Sequence, residues 1–177
     1  MIETKRLLLR EMTPADFGAL YRVFRDGDNM RYYPYVFDEK QVRLWIERNI
    51  ERYRIFGFGL YAVCLKETGE LIGDCGLTMQ NIRGVIRPEI GYHIRCDRQR
   101  NGYATEAAKA VRDRTFTETP FREICSYMPA SNEASARTAA AYGCRLTEEY
   151  MNEDHQRVKV YRITKEEWEK LRGLETF

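Results

Sequence analysis

The sequence predicts an α/β fold, a mixed and mainly antiparallel seven-stranded sheet flanked by helices. Three patterns carry this. Residues 59–95 hold three apolar segments joined by short polar turns, the pattern of an antiparallel meander. Residues 13–56 hold two segments with apolar residues at helical spacing. Between residues 88 and 128 a strand, a helix and another strand follow in series, as a crossover requires.

The elements are expected in the order β-α-α-β-β-β-α-β-α-β-β, with a short helix at the C-terminus. Strand one covers about Thr4 to Glu11. Thr13-Pro14-Ala15-Asp16 opens the first helix with a threonine cap and proline at its first position, and Phe17, Leu20, Val23 and Phe24 form its stripe. Asp38-Glu39-Lys40-Gln41 has capping-box spacing for a second helix, with Val42, Trp45, Ile46 and Ile50 as its stripe. Between these helices lies an aromatic loop, Tyr32-Tyr33-Pro34-Tyr35, which either walls a groove or plugs the edge of the core. The meander strands are Gly59–Lys66, Leu71–Gln80 and Pro88–Arg95. Gly91 marks either a bulge or a close approach of a neighbour. A helix from about Gly102 to Glu118, a strand over Arg122–Met128 and a helix over Ser131–Tyr142 follow, the last ended by Gly143 in a left-handed cap. Strands Arg145–Glu149 and Val158–Thr164 pair across a polar turn, and Thr164-Lys165-Glu166-Glu167 starts the terminal helix.

Composition fits one domain over residues 1–177: 44% hydrophobic and 32% charged residues leave a sizeable core with a polar surface. No run of about 18 apolar residues is present, so no membrane span is expected, and the N-terminal residues lack a signal-peptide core. Five cysteines without a Cys-x-x-Cys pair fit reduced core residues and a cytoplasmic location. Two histidines, His93 and His155, give a metal site little to build on. A net charge of +2 offers no bulk attraction to nucleic acid, and Arg43, Arg48, Arg52 and Arg54 read as a solvated helix face.

Residues 99–104, Gln99-Arg100-Asn101-Gly102-Tyr103-Ala104, are the most informative. They join a strand to a helix through a polar glycine turn. Such a turn lets backbone approach a ligand, and the unpaired N–H groups of the helix start favour an anion. Arg95, Arg98 and Arg100 crowd the same stretch. Neither the Walker pattern nor the three-glycine dinucleotide fingerprint is present.

Gln99-x-x-Gly102-x-Ala104 resembles the acetyl-coenzyme A signature of the GNAT acetyltransferase superfamily, Arg/Gln-x-x-Gly-x-Gly/Ala. About 30 residues on, Asn132-Glu133-Ala134-Ser135, a short helix and then Gly143 resemble the Asn-x-x-Ser…Gly block of its RimJ/RimL type, which acetylates ribosomal-protein N-termini. The opening Glu3-Thr4-Lys5-Arg6-Leu7-Leu8-Leu9-Arg10 and the late Tyr161-Arg162-Ile163-Thr164…Trp168 are similar to the same subgroup.

The resemblance implies acetyl transfer from acetyl-CoA to a primary amine, most readily a protein or peptide N-terminus. The alternatives are a small amine (polyamine, antibiotic or metabolite), or a non-catalytic coenzyme A-binding or RNA-associated module. It implies a pyrophosphate cradle at Gln99, Arg100, Asn101, Gly102, Tyr103 and Ala104. It also implies a splayed strand pair whose N–H groups at His93, Ile94 and Arg95 meet the thioester, and a pantetheine contact at Asn132. The superfamily's usual tyrosine acid falls at Ala139, so Ser135 is the candidate acid. Glu89, in Pro88-Glu89-Ile90-Gly91-Tyr92, is the first candidate base, followed by His93 and then Glu148 or Glu149. Tyr142 reads as a packing residue. A homodimer is left open.

Overall fold

The computed structural model describes residues 1–175. Eight strands form one sheet in the spatial order β1-β2-β3-β4-β5-β6-β8-β7. They are β1 (Ile2–Glu3), β2 (Leu7–Arg10), β3 (Leu60–Leu65), β4 (Leu71–Ile82), β5 (Val85–Ile94), β6 (Glu123–Pro129), β7 (Arg145–Met151) and β8 (Arg157–Thr164). The helices are α1 (Phe17–Phe24), α2 (Glu39–Phe56), α3 (Tyr103–Glu118), α4 (Glu133–Ala141) and α5 (Lys165–Glu175).

Eight strands form rather than seven because Thr4 breaks the first segment. Its N–H donates to the Leu7 carbonyl at 3.0 Å and its Oγ1 accepts from Leu7 N–H at 2.9 Å, folding Ile2–Glu3 back on Leu8 and Leu9. The β4–β5 hairpin is tighter than the sequence suggests. Strand pairing continues to Ile82↔Val85, and Arg83 (φ 55°) and Gly84 (φ 80°) alone make the turn, the double positive φ of a type I′ connection. Gly91 is not a bulge: it sits in unbroken register opposite Gly76.

β4 is the centre of the sheet, buried from Leu71 through Thr78. Gly73 and Gly76 are needed there because a methyl group would run into backbone, the His93 carbonyl in one case and the Gly59 carbonyl in the other. Helices α1 and α2 cover one side. Asp38 caps α2 through Gln41, each side chain bonding the other's backbone at 2.8 Å, and Gly57 (φ 74°) ends it. The buried stripe of α2 includes Asn49 instead of Ile50, which is exposed. A polar residue is tolerated because its amide is satisfied: Asn49 Oδ1 accepts from Leu60 N–H at 2.9 Å and Nδ2 donates to the Trp45 carbonyl at 2.9 Å.

α3 and α4 lie against the crossover. Arg112, buried on α3, donates to the Tyr142 carbonyl at the end of α4. Tyr142 is fully buried and its hydroxyl meets Ser126 Oγ at 2.8 Å, consistent with a packing residue. Cys64, Cys75, Cys125 and Cys144 are free and buried, and Cys96 is free and partly exposed.

All strand pairs are antiparallel except β5–β6, which is parallel and has Glu89↔Cys125 as its register pair. Beyond that pair the two strands diverge.

Gly76→Ala places a methyl against backbone that cannot yield without parting β3 from β4. It should lower unfolding free energy by about 2–3 kcal/mol in urea titration. An unchanged midpoint would show that the strands are less tightly apposed.

Candidate active site

Strand alternation determines what the divergence exposes. Arg95 N–H bonds the Ile72 carbonyl at 2.8 Å, so β5 residues of this parity turn their backbone groups to β4. Residues of the other parity turn theirs toward β6. The Ile90 carbonyl accepts from Ser126 Oγ at 2.6 Å and the Ile94 carbonyl from Gln99 Nε2 at 2.8 Å. The N–H groups of Tyr92 and Ile94 therefore face the gap, where no strand of the described residues pairs with them. His93 and Arg95, expected beside Ile94 in this role, present their N–H groups to the other side.

The gap opens into a cleft of about 1020 Å³ that reaches from the first turn of α3 to Glu89 and on to Asn152 and Gln156. At one end lies the Gln99–Ala104 turn. Arg100 (φ 60°) and Gly102 (φ 78°) are both left-handed, and no side chain caps α3. Among the described residues no acceptor meets the N–H groups of residues 100–105. Arg6 braces the turn: Nη1 donates to the Asn101 carbonyl at 2.9 Å, and Nε bonds Glu106 Oε2 at 2.6 Å. Gln99, Arg100, Gly102, Tyr103, Ala104, His93, Ile94 and Asn132 line the cleft, whereas Arg95 and Asn101 do not. The Arg95 guanidinium is tied to Asp97 and Glu70 at 2.5 and 2.6 Å, and Arg98 to Glu70 at 2.6 Å. Asn101 Nδ2 folds back on the Arg98 and Gln99 carbonyls at 3.1 and 3.0 Å. Of the arginines that crowd this stretch in sequence, Arg100 has no carboxylate partner among the described residues.

Side chains alternate as well, so β5 presents different chemistry on its two faces. Tyr92 points toward α4. Its hydroxyl donates to the Ser135 carbonyl at 2.8 Å and lies 3.1 Å from Ser135 Oγ. Burial raises the Tyr92 pKa well above that of a free phenol, keeping the hydroxyl protonated. Asn132 caps α4, its Oδ1 accepting from Ser135 N–H at 3.1 Å. Ala139 is buried in the core, away from any such role.

The opposite face carries Glu89, Gly91 and His93. Glu89 is buried, and burial raises its pKa to about 7, opposed by the Thr78 Oγ1 hydrogen bond (3.0 Å) and by the charges of His93 and Arg52. A methyl on Gly91 would lie 3.3 Å from Glu89 Oε2, so the glycine keeps the carboxylate accessible. Glu148 is instead held by Arg87 at 2.5 Å, and Glu149 pairs with Arg157 at 3.3 Å.

Sequence reasoning missed Asp74. It is fully buried, and its Oδ1 lies 2.7 Å from His93 Nδ1 while Oδ2 accepts from Trp45 Nε1 at 2.9 Å. A carboxylate only accepts, so Nδ1 carries the proton, and in the neutral ring Nε2 accepts from the Tyr33 hydroxyl 2.5 Å away. The signal was present: a lone acid inside the otherwise apolar Leu71–Leu77 segment. The aromatic loop thus walls the cleft, with Tyr33 on His93 and Tyr32 Oη donating to the Ser131 carbonyl at 3.2 Å.

Among the described residues no helix is long and apolar enough to cross a membrane. The family model described as the acetyltransferase (GNAT) domain matches residues 6–145. The Bacillus subtilis protein YkkB is 36% identical over 141 residues, covering 79% of this chain and 82% of YkkB. The uncharacterized N-acetyltransferase YnaD of the same organism is 30% identical over 145 residues, covering 81% of this chain and 82% of YnaD. An acetyltransferase (GNAT family) from Bacillus anthracis superposes with a TM-score of 0.82 at 26% identity, covering 93% of this chain and 98% of that one. The ribosomal L7/L12 alpha-N-protein acetyltransferase RimL, solved with coenzyme A, shares the fold at a TM-score of 0.74 and 20% identity, covering 91% and 95%. On the family model and these relatives, the chain belongs to the GNAT acetyltransferase family and is an acetyl-CoA-dependent acyltransferase.

Proposed function

We propose that the protein is an N-acetyltransferase that acetylates the N-terminal amine of a protein or peptide, within a single domain over residues 1–177. One observation carries this: Glu89 and the Tyr92–Ser135 pair flank the same parted strand from opposite faces. An amine entering the gap has a proton acceptor on one side and a proton donor on the other.

The free N–H groups of residues 100–105 and the Arg100 guanidinium suit pyrophosphate, and the edge N–H groups of Tyr92 and Ile94 suit an extended amide chain. Bound there, acetyl-CoA would supply an acetyl carbon activated for attack by an amine. Glu89 takes a proton from the acceptor ammonium, directly or through water, so that the nitrogen lone pair is free to bond the acetyl carbon. The Tyr92 N–H, the one nearer Glu89 along the strand, stabilises negative charge on the carbonyl oxygen, while the Ile94 N–H remains for the amide chain. Ser135 Oγ gives a proton to the departing sulfur as the carbon–sulfur bond breaks, with Tyr92 Oη 3.1 Å away to position the hydroxyl and water in the cleft to return its proton. Asn132 holds Ser135 in place by capping α4. His93, oriented by Asp74, is the second group able to take a proton from this face.

The acceptor end favours a peptide over a polyamine. Arg31, Arg52, Arg98, Arg100 and Arg137 line the cleft with three carboxylates, Asp28, Glu89 and Glu133. Asp28 and Glu133 are already bound to Arg31 and Arg137, so no acidic track awaits a polycation.

Acetyl-CoA and coenzyme A at 100 times their dissociation constants should each add about 2.7 kcal/mol of stability, and ATP should add none. No shift with either would end this proposal. Ser135→Ala should lower kcat at least about tenfold and keep coenzyme A affinity; unchanged turnover would move the acid role to Tyr92.

With Glu89 as base, kcat/KM for the acceptor should rise with pH through an apparent pKa near 7, and Glu89→Gln should remove that limb and lower the rate about 10²-fold or more. The stability effect has the opposite sense. A raised folded pKa favours folding below the unfolded value of 4.5, and that contribution is lost as pH rises through about 7. Glu89→Gln should therefore melt above the wild type at pH 8, by about 3 kcal/mol at most, with the gap closing toward pH 5. Equal melting at both pH values would show that Glu89 titrates normally.

A further inference from the structure

The acceptor end of the cleft carries a second charge that the chemistry above leaves unused. Arg52 on α2 lines the cleft beside Leu60, Thr78 and Glu89. Among the described residues it has no carboxylate partner, whereas Arg31, Arg98 and Arg137, on the same walls, are all ion-paired. Arg100 is the other unpaired guanidinium there, and it lies at the opposite end, on the glycine turn.

Arg52 is held in place. Nη1 donates to Asn49 Oδ1 at 3.2 Å, and the fully buried Asn49 is itself fixed by Leu60 N–H and the Trp45 carbonyl. Its other donors meet no protein acceptor among the described residues, although burial already disfavours its charge. Glu89 feels the Arg52 charge, yet the two form no ion pair. A carboxylate and a guanidinium thus face one cavity, each without an opposite charge in contact.

From this juxtaposition we infer that Arg52 is the carboxylate-binding group of the acceptor site, so that the acceptor carries a carboxylate within a few bonds of its reacting amine. A planar carboxylate matches the guanidinium fork with two N–H donors. The ammonium of the same molecule then falls to Glu89, and each unpaired charge finds its complement. Two sources share this chemistry, a peptide N-terminus with an acidic side chain in its first residues and a free α-amino acid. The subsite rests on the transferase function proposed above.

Matched acceptors test it: the amidated tripeptides Ala-Glu-Ala and Ala-Gln-Ala, and free alanine against alaninamide. Each pair is measured by calorimetric binding to the full chain and by thiol release with acetyl-CoA. In at least one pair the carboxylate member should bind, and be turned over, at least about tenfold better, and which pair responds identifies the source. Arg52→Gln should reduce that ratio to within about twofold, Arg52→Lys should restore part of it, and Arg52→Glu should invert it, with circular dichroism showing each variant folded. Equal handling of both members by the wild type, a ratio unchanged in Arg52→Gln, or no binding by any acceptor would overturn the assignment. Arg52-dependent binding without thiol release would instead retain the subsite and remove the proposed reaction. Turnover without carboxylate preference would do the reverse.

Discussion

The parting of β5 from β6 is the constraint on which the rest of this molecule depends. Glu89↔Cys125 is the register pair that joins the two strands, and beyond it the edge of β5 has no strand partner among the described residues. Unpaired backbone inside a protein is unfavourable unless something else satisfies it. Here side chains satisfy part of the edge, Ser126 at the Ile90 carbonyl and Gln99 at the Ile94 carbonyl, and leave the N–H groups of Tyr92 and Ile94 facing the gap. The sheet can remain parted because the halves are anchored independently. β4 and its two close-approach glycines hold β5, while β8 holds β6 over seven register pairs from Glu123 to Pro129.

From that geometry the division of chemistry follows. A β-strand has two faces, and β5 uses both. Tyr92 and Ser135 form a hydroxyl pair on the α4 side, and Glu89 and His93 stand on the α2 side. Gly91 between them carries no side chain, so the gap stays open across the strand. Electrostatics reinforce the separation. Burial favours the protonated form of both, raising the Glu89 carboxyl to about 7 and keeping the Tyr92 hydroxyl protonated through the ordinary pH range, and the proposed acceptor and donor roles rest on this difference. The buried Asp74 orients His93 from behind, as a carboxylate does for an imidazole wherever the ring's direction matters.

Much of this was legible in the sequence because it is local. The glycine turn at 102, the capping box at Asp38, the glycine after α4 and the order of elements through the crossover all express backbone preferences spanning a few residues. Glu89 and Ser135, the proposed base and acid, were singled out through short motifs. Asp74 and Tyr33 were less legible, since their partners His93 and Trp45 lie at least 19 positions away in sequence, and Arg52, though anchored by the nearby Asn49, faces Glu89 only through the fold. Arg95 shows the converse. It looks like a phosphate ligand beside the turn, yet Glu70 from the end of the preceding hairpin captures it.

By itself, then, the sequence determined which segments become strands and helices, where the glycine turn before α3 lies, and which family the chain resembles, because these depend on periodicity, capping and turn chemistry that act over short range. Tertiary structure alone decided which charges remain unpaired, which N–H groups face the gap, and which titratable side chains stand on each face of β5. Those outcomes depend on strand register and on helices packed from distant parts of the chain, and a shift of one residue in register would exchange one face for the other.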